Sequence, residues 1–179
     1  MLRKSLSSKQ IRKLRSLGMT EELSFSFTSA AALDKLCVPE DSVLRRAIPI
    51  MNPLMEEYPL VRTTLLTSIL ENAARNVARR NLDLRLFDIA PVFFPKALPV
   101  TELVEEKRKV AGLLTGRRNP IAWDTDNAMV DFYDAKGVLE HFLSAIGVQK
   151  YTVERGEHFA MHPGKTAFFK KGRDVIAVL

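Results

Sequence analysis

Two histidines with helical spacing are the first residues that could do chemistry in this 179-residue sequence. His158 and His162 are four positions apart, which on a helix would place two imidazoles against one metal ion. Gly156 precedes them and Pro163-Gly164 follows at once, which indicates a loop or a strand instead. No third ligand has convincing spacing. We therefore expect His162 to form local hydrogen bonds or to face a pocket, and we expect no metal here.

Cys37 is the only cysteine, and one thiol can neither form an internal disulfide nor complete a zinc site, which favours the reducing cytosol. Its apolar surroundings, after Leu33 and Leu36, predict a buried side chain rather than a reactive thiol. The sequence has no GxSxG turn and no recognisable Cys/His pair, so a nucleophilic mechanism is unsupported. No run approaches the roughly 18 apolar residues that a membrane-spanning helix needs. We expect a cytoplasmic protein without membrane contact.

The charge distribution is the next candidate for function. A net charge of +6 is compatible with a polyanionic partner such as RNA, although composition alone is weak evidence. Six cations precede the first acid: Arg3, Lys4, Lys9, Arg12, Lys13 and Arg15. We interpret them as a solvated helix face, with a phosphate-facing patch as the alternative. Trp123 is flanked by Asp124 and Asp126, so we expect it to anchor its loop rather than to stack on bases.

Apolar periodicity and flanking caps predict helices that would position these residues. They are expected after Ser8, after Ser29, from Thr63 to about Arg80, and after Asp131 as far as Gly147. The third of these helices has apolar residues on two sides, near Leu65 and Ile69. Such a helix usually packs between two layers or against a partner subunit.

Strands are predicted where apolar residues alternate or cluster between turn signals. The predicted strands are 23–27, 43–51, 84–94, 109–115 and 151–153, and a hairpin formed by 166–169 and 175–179. We expect 84–94 and 109–115 to be buried and Pro49 to lie at a sheet edge. The element order predicts an α+β fold with a mainly antiparallel sheet covered by helices. Because the last apolar run has no closing turn, we interpret 1–179 as one domain that stops before its sheet is complete.

The segment NPLMEEYPLVRTTLLTSILENAARN, from Asn52 to Asn76, resembles a signature stretch of the β subunit of bacterial phenylalanyl-tRNA synthetase. Four more stretches match in the expected order: LGMTEELSFSF (17–27), LFDIAPVF (86–93), VDFYDAKGVLEHFL (130–143) and MHPGKTAFF (161–169). To the motif positions we assign structural or interface roles rather than catalytic ones. These positions are Asn52, Pro53, Arg62, Thr63, Leu65, Leu66, Asn76, Phe87, Phe94, Asp134, Lys136, Gly137, His162, Pro163 and Gly164.

The resemblance implies the fold of class II aminoacyl-tRNA synthetase catalytic domains, an antiparallel sheet with flanking helices. It also implies a heterotetramer of two α and two β subunits, which joins phenylalanine to its tRNA with ATP and Mg²⁺. In that family the α subunit carries the active site. The part seen here would be a degenerate, non-catalytic relative of that site that needs no cofactor of its own and supports the α subunit.

Phe94 is the position on which the non-catalytic interpretation depends. Class II aminoacylation uses an arginine beside the sheet to clamp the ATP phosphates, where negative charge is concentrated. By the resemblance, the equivalent stretch here is Val92-Phe93-Phe94, so that Phe94 takes the place of the arginine. A phenyl ring cannot accept a phosphate, which predicts an apolar, packed pocket.

Arg62 is the remaining cation that could meet an anion, because it precedes a helix start with free amide groups. We expect it instead to pair with Glu56, Glu57 or a partner's carboxylate and so to fix the loop geometry. Two alternative functions stay open: a vestigial small-molecule pocket, and contact with tRNA through the basic N-terminal helix.

Overall fold

The computed structural model describes residues 2–179, with side chains from Ser8 onwards. Its α-helices are α1 Leu2–Ser16, α2 Ala30–Lys35, α3 Leu66–Ala78 and α4 Phe132–Ala145. Its strands are β1 Thr20–Glu21, β2 Phe27–Thr28, β3 Ile48–Pro49, β4 Leu60–Val61, β5 Leu84–Phe94, β6 Glu105–Thr115, β7 Thr152–Arg155, β8 Ala167–Lys171 and β9 Asp174–Val178. The mixture of helices and antiparallel strands confirms the α+β class.

The strands form small sheets rather than the one main sheet that we predicted. The sheets have the strand orders β1-β5-β6, β2-β4-β3 and β7-β8-β9. The chain also divides into two compact units. The first unit contains the residues up to Glu21 together with Arg80–Leu86 and Leu113–Leu179, and the second contains Glu22–Arg79 and Phe87–Gly112. The interpretation of 1–179 as one domain stays a prediction.

The second unit is built around β4, which pairs antiparallel with β2 on one side and with β3 on the other. Pro49 therefore lies on an edge strand, as its missing amide hydrogen predicts. Ser29 begins α2 by accepting a 3.1 Å hydrogen bond from the Ala32 amide, which confirms the predicted cap. The core of this unit contains Leu33, Ile69, Phe87 and Val92.

Three local strand predictions were wrong. In the segment 23–27, residues 23–26 do not form a strand, and β2 begins only at Phe27. Leu23 and Phe25 are exposed. The segment 43–51 contains a 3₁₀ turn, Val43–Arg45, before the short strand β3. Strand β6 is longer than predicted and mostly exposed, because it begins in the charged run Glu105–Lys109.

Cys37 is exposed rather than buried. It follows the C-cap of α2 with a φ of 58°, and its amide donates to the Asp34 carbonyl oxygen at 2.9 Å. The Val38 amide donates to the Leu33 carbonyl oxygen at 3.1 Å. These two bonds form a Schellman motif, which turns the Cys37 side chain away from the core.

The first unit contains the sheet β7-β8-β9 and the helices α1 and α4. Asp131 caps α4 in a reciprocal capping box with Asp134, and Gly147 follows the helix with a φ of 84°, so both predicted boundaries are confirmed. Leu143 packs in a core with Ala167 and Phe169. The predicted hairpin forms between β8 and β9.

Two side chains of the first unit differ from their predictions. Ser8 lies inside α1 and so does not cap it. Trp123 is almost fully exposed, so it does not anchor its loop. No helix among residues 2–179 is long and apolar enough to cross a membrane.

Candidate functional site

The second unit contains a buried polar cluster centred on Arg62, whose exposed fraction is only 1%. Its Nε donates to the Pro91 carbonyl oxygen at 2.9 Å. Its Nη1 donates to the Ser24 hydroxyl at 2.7 Å and to the Phe25 carbonyl oxygen at 3.1 Å. Asp88 Oδ2 lies 3.8 Å from Nη1 and accepts a hydrogen bond from the Ser24 hydroxyl. Arg62 therefore ties the segment around Ser24 to strand β5.

The predicted partners of Arg62 were wrong, although the predicted role in fixing a loop agrees with these contacts. Glu56 and Glu57 are exposed, whereas the carboxylate of Asp88 lies beside the guanidinium in the core. Burial lowers the pKa of Arg62, and the charge of Asp88 opposes that shift. Because Arg62 is enclosed and bonded on several sides, it does not face an anion in solution.

Glu22 is a second buried acid of this unit, with an exposed fraction of 8%. Its Oε2 accepts a 2.6 Å hydrogen bond from Asn72 Nδ2. Its Oε1 is buried and has no hydrogen-bond partner within the described part of the chain. Burial raises the pKa of Glu22 and the charge of Asp88 raises it further, while Asn72 and Arg75 oppose the shift. The ionised form of Glu22 is therefore disfavoured in the folded protein.

Replacing Glu22 with glutamine is expected to raise the free energy of unfolding at pH 7 by about 1 kcal/mol. Glutamine keeps an acceptor for Asn72 and removes the buried charge. Since the folded-state pKa is raised, the stabilising contribution of wild-type Glu22 is complete below about pH 4.5, its ordinary pKa, and is lost as the pH rises through the folded-state pKa.

Urea denaturation at a series of pH values would measure this effect. The free energy of unfolding of the E22Q variant should exceed that of the wild type at pH 7 and equal it at about pH 4. The exposed Glu57→Gln variant is the control and should show no such gain. An E22Q variant that is less stable than the wild type at pH 7 would contradict the proposed burial cost.

Phe94 ends β5 and lies half-buried beside an open cleft of about 290 Å³. The other lining residues are Val43, Arg46, Pro95, Glu105, Lys107 and Lys109. The prediction of an apolar, packed pocket was therefore wrong. Alternate residues of a strand share one face, so the charged start of β6 places three charged side chains along this cleft. Lys107 Nζ lies 5.3 Å from the centroid of the Phe94 ring.

The remaining motif residues of the second unit have structural contacts or exposed positions. Thr63 Oγ1 donates to the Leu44 carbonyl oxygen at 2.5 Å, and Asn76 Nδ2 donates to the Asn72 carbonyl oxygen at 2.9 Å. The others differ in exposure: Leu65 and Phe87 are buried, Leu66 and Pro53 half-buried, and Asn52 exposed. Leu65 therefore contributes to the core and leaves no side-chain surface for a partner.

In the first unit, Asp134 accepts hydrogen bonds from the Asp131 amide at 2.8 Å and from Arg118 Nε at 2.9 Å. The Asp131 amide bond, and after it Arg118, lowers the pKa of Asp134. Lys136 Nζ lies 3.6 Å from Glu140 Oε1, a half-buried pair one helical turn apart. Gly137 has open space where a side chain would lie.

The predicted histidine segment is a loop. His162 Nδ1 accepts from the Gly164 amide at 3.0 Å, and the His162 carbonyl oxygen accepts from Thr166 Oγ1 at 2.8 Å, which confirms its local hydrogen bonding. Pro163 is exposed between these bonds. Burial lowers the pKa of His158. Where side chains are described, no three histidine, cysteine, aspartate or glutamate residues are grouped so that they could hold a metal ion.

Sequence reasoning missed the acids of the buried cluster and the most exposed apolar side chains. An acid inside the apolar run LFDIAPVF was the available signal for Asp88. Glu22 had no such signal, because its neighbours are mostly polar. In the basic helix α1, Lys9 and Arg12 are exposed, while Arg15 pairs with Glu21 at 2.7 Å. A contact of this helix with tRNA stays a prediction.

The fold is that of class II aminoacyl-tRNA synthetase domains. Pyrrolysyl-tRNA synthetase from Desulfitobacterium hafniense superposes with a TM-score of 0.67 at 16% identity, over 97% of this chain and 54% of that chain. A histidine–tRNA ligase subunit from Alicyclobacillus acidocaldarius superposes with a TM-score of 0.58 at 18% identity, over 84% of this chain and 39% of that chain.

The sequence comparisons identify the family within this class. Residues 2–179 match the family model described as phenylalanyl tRNA synthetase beta chain CLM domain. The chain is 36% identical to the phenylalanine–tRNA ligase beta subunit of Syntrophotalea carbinolica, over 96% of this chain and 22% of the relative. It is 39% identical to the same subunit of Geobacter metallireducens, over 94% of this chain and 21% of that relative. The chain therefore belongs to the phenylalanyl-tRNA synthetase β chain family, and it spans about a fifth of the length of these relatives.

Proposed function

We propose that this chain is a structural module of phenylalanine–tRNA ligase that contacts the α subunit and does not itself catalyse the reaction. The whole enzyme, a cytoplasmic assembly of two α and two β subunits, would attach phenylalanine to its tRNA with ATP and Mg²⁺. The relatives support the choice of enzyme, because their name is that of its beta subunit.

The observation that carries the subunit contact is a set of exposed apolar side chains in the second unit. Leu23 and Phe25 are 93% and 72% exposed, and Met51 and Leu54 are 94% and 92% exposed. Large apolar side chains are stabilised by leaving water, and exposed groups of them are typical of protein interfaces. We assign these four residues to the contact with the α subunit.

Helix α3 offers a further exposed apolar face in the second unit. Leu70 and Val77 are both 44% exposed and are seven positions apart, which places them on one helix face. Ile69 and Ala73, on the neighbouring face of α3, are buried. Leu65 and Ile69, which mark the two predicted apolar sides, are both buried. The surface of α3 that is left for a partner is the face that carries Leu70 and Val77.

The proposed lack of catalysis is supported by the two positions at which a phosphate-binding arginine was considered, Phe94 and Arg62. The resemblance puts the aromatic ring of Phe94 at the position of the clamping arginine. Arg62 is enclosed by its own protein contacts. The proposal of a non-catalytic role does not rest on a lack of positive charge, because the nearby cleft contains the cations Arg46, Lys107 and Lys109.

The purified chain is expected to show no ATP–pyrophosphate exchange with phenylalanine. The assay would use the complete α/β enzyme as its positive control. Exchange by the chain alone that a Phe94→Ala or Lys107→Ala substitution abolishes would overturn the non-catalytic role.

A further inference from the structure

The cleft beside Phe94 has an excess of positive charge. Three of its seven lining residues are cations, Arg46, Lys107 and Lys109, and one is an acid, Glu105. Lys107 Nζ lies 3.1 Å from Glu105 Oε2, so this acid offsets one of the cations. Arg46 and Lys109 form no ion pair with any carboxylate among the described side chains. Two cations are thus available to an anionic ligand.

The same cleft offers an aromatic surface next to these cations. Phe94 is half-buried, and its ring already carries the ammonium group of Lys107 at 5.3 Å from its centroid. Lys107 and Lys109 lie on one face of β6, about 7 Å apart along the strand. Stacking on an aromatic ring combined with a line of cations is how proteins hold single-stranded nucleic acid without reading its sequence.

The shape of the cleft distinguishes a nucleic-acid strand from a free small molecule. Small-molecule sites usually enclose most of their ligand in roughly 300–1,000 Å³. This cleft, at about 290 Å³, lies just below that range, and it is open to solvent beside the exposed Val43. An open groove of this size accommodates one nucleotide of a strand whose neighbours continue outside it.

We infer that this cleft binds single-stranded RNA, with phosphates against Arg46 and Lys109 and one base over Phe94. The inference is independent of the subunit contact proposed above. RNA binding would be measured without the α subunit, so either proposal can fail while the other stands.

Fluorescence anisotropy of the full chain with a labelled oligouridylate of about 12 nucleotides tests the inference. The Lys109→Glu variant is expected to bind about tenfold more weakly and to reduce the slope of log affinity against log salt by about 1. Arg108→Glu is the matched control, because it makes the same charge change on the opposite face of the same strand. Its affinity should fall by no more than about threefold. Circular dichroism would verify that both variants fold.

A Phe94→Leu variant tests the stacking contact separately. It should weaken binding about tenfold and leave the salt slope unchanged, since no charge is removed. Equal losses in Lys109→Glu and Arg108→Glu would overturn the inference, because they would show a general effect of surface charge. Equally tight binding of double-stranded RNA would also overturn it. The inference would also be overturned if inorganic pyrophosphate or ATP displaced the RNA and bound the chain more tightly than the RNA does.

Discussion

Replacing Arg62 with alanine is expected to lower the free energy of unfolding by about 3–5 kcal/mol. The substitution leaves the Asp88 carboxylate buried without its cation. It also removes the donors to the Pro91 and Phe25 carbonyl oxygens. A loss of this size is a large fraction of the 5–15 kcal/mol that is usual for a folded domain.

Urea denaturation followed by far-ultraviolet circular dichroism would measure the change, because the exposed Trp123 is a poor reporter of unfolding. Arg62→Lys keeps the charge but lacks the planar fork, and should recover only part of the loss. Glu57→Ala is the control for the partner predicted from the sequence and should change the unfolding free energy by no more than about 0.5 kcal/mol. An Arg62→Ala variant as stable as the wild type would show that the cluster does not hold this unit together.

The second large effect is expected at the exposed loop that contains Leu54. Leu54→Asp should reduce the affinity for the α subunit by at least about tenfold, because the apolar contact that the leucine side chain would make with the α subunit is lost. The neighbouring Asn52→Asp variant adds the same charge in the same exposed loop and removes no apolar surface. Its affinity should stay within about threefold of the wild type.

Biolayer interferometry with immobilised α subunit would give both affinities. Leu54 is almost fully exposed, so its replacement should leave the fold intact, and circular dichroism would verify this. Equal effects of the two substitutions would mean that added charge, rather than loss of apolar contact, weakens binding. Unchanged affinity in Leu54→Asp would remove this loop from the interface.

Short-range chemistry is what made parts of the fold predictable. Ser29 and Asp131 bond to amides within three positions of themselves, so their caps could be expected from neighbouring residues alone. Gly147 ends α4 for a similarly local reason, its positive φ. The order of the predicted elements supplied the α+β class, and the motif matches supplied the synthetase-type fold and the family, which apolar periodicity could not.

Long-range contacts explain the failures. The alternation of apolar and polar residues in 23–27 is typical of a strand. Instead, Arg62, which is distant in the sequence, donates hydrogen bonds to the Ser24 hydroxyl and the Phe25 carbonyl oxygen. No pattern around Phe25 could show this. Long-range contacts also explain why the cleft is both charged and apolar, because it combines the end of β5 with Arg46 and with the charged start of β6.

Light scattering of the chain mixed with the α subunit tests the subunit contact most directly. The proposed contact predicts a species whose mass contains both proteins, and a Leu54→Asp variant that fails to form it. Two separate species at concentrations well above the usual micromolar range of weak complexes would contradict the proposal that this chain acts through contact with the α subunit.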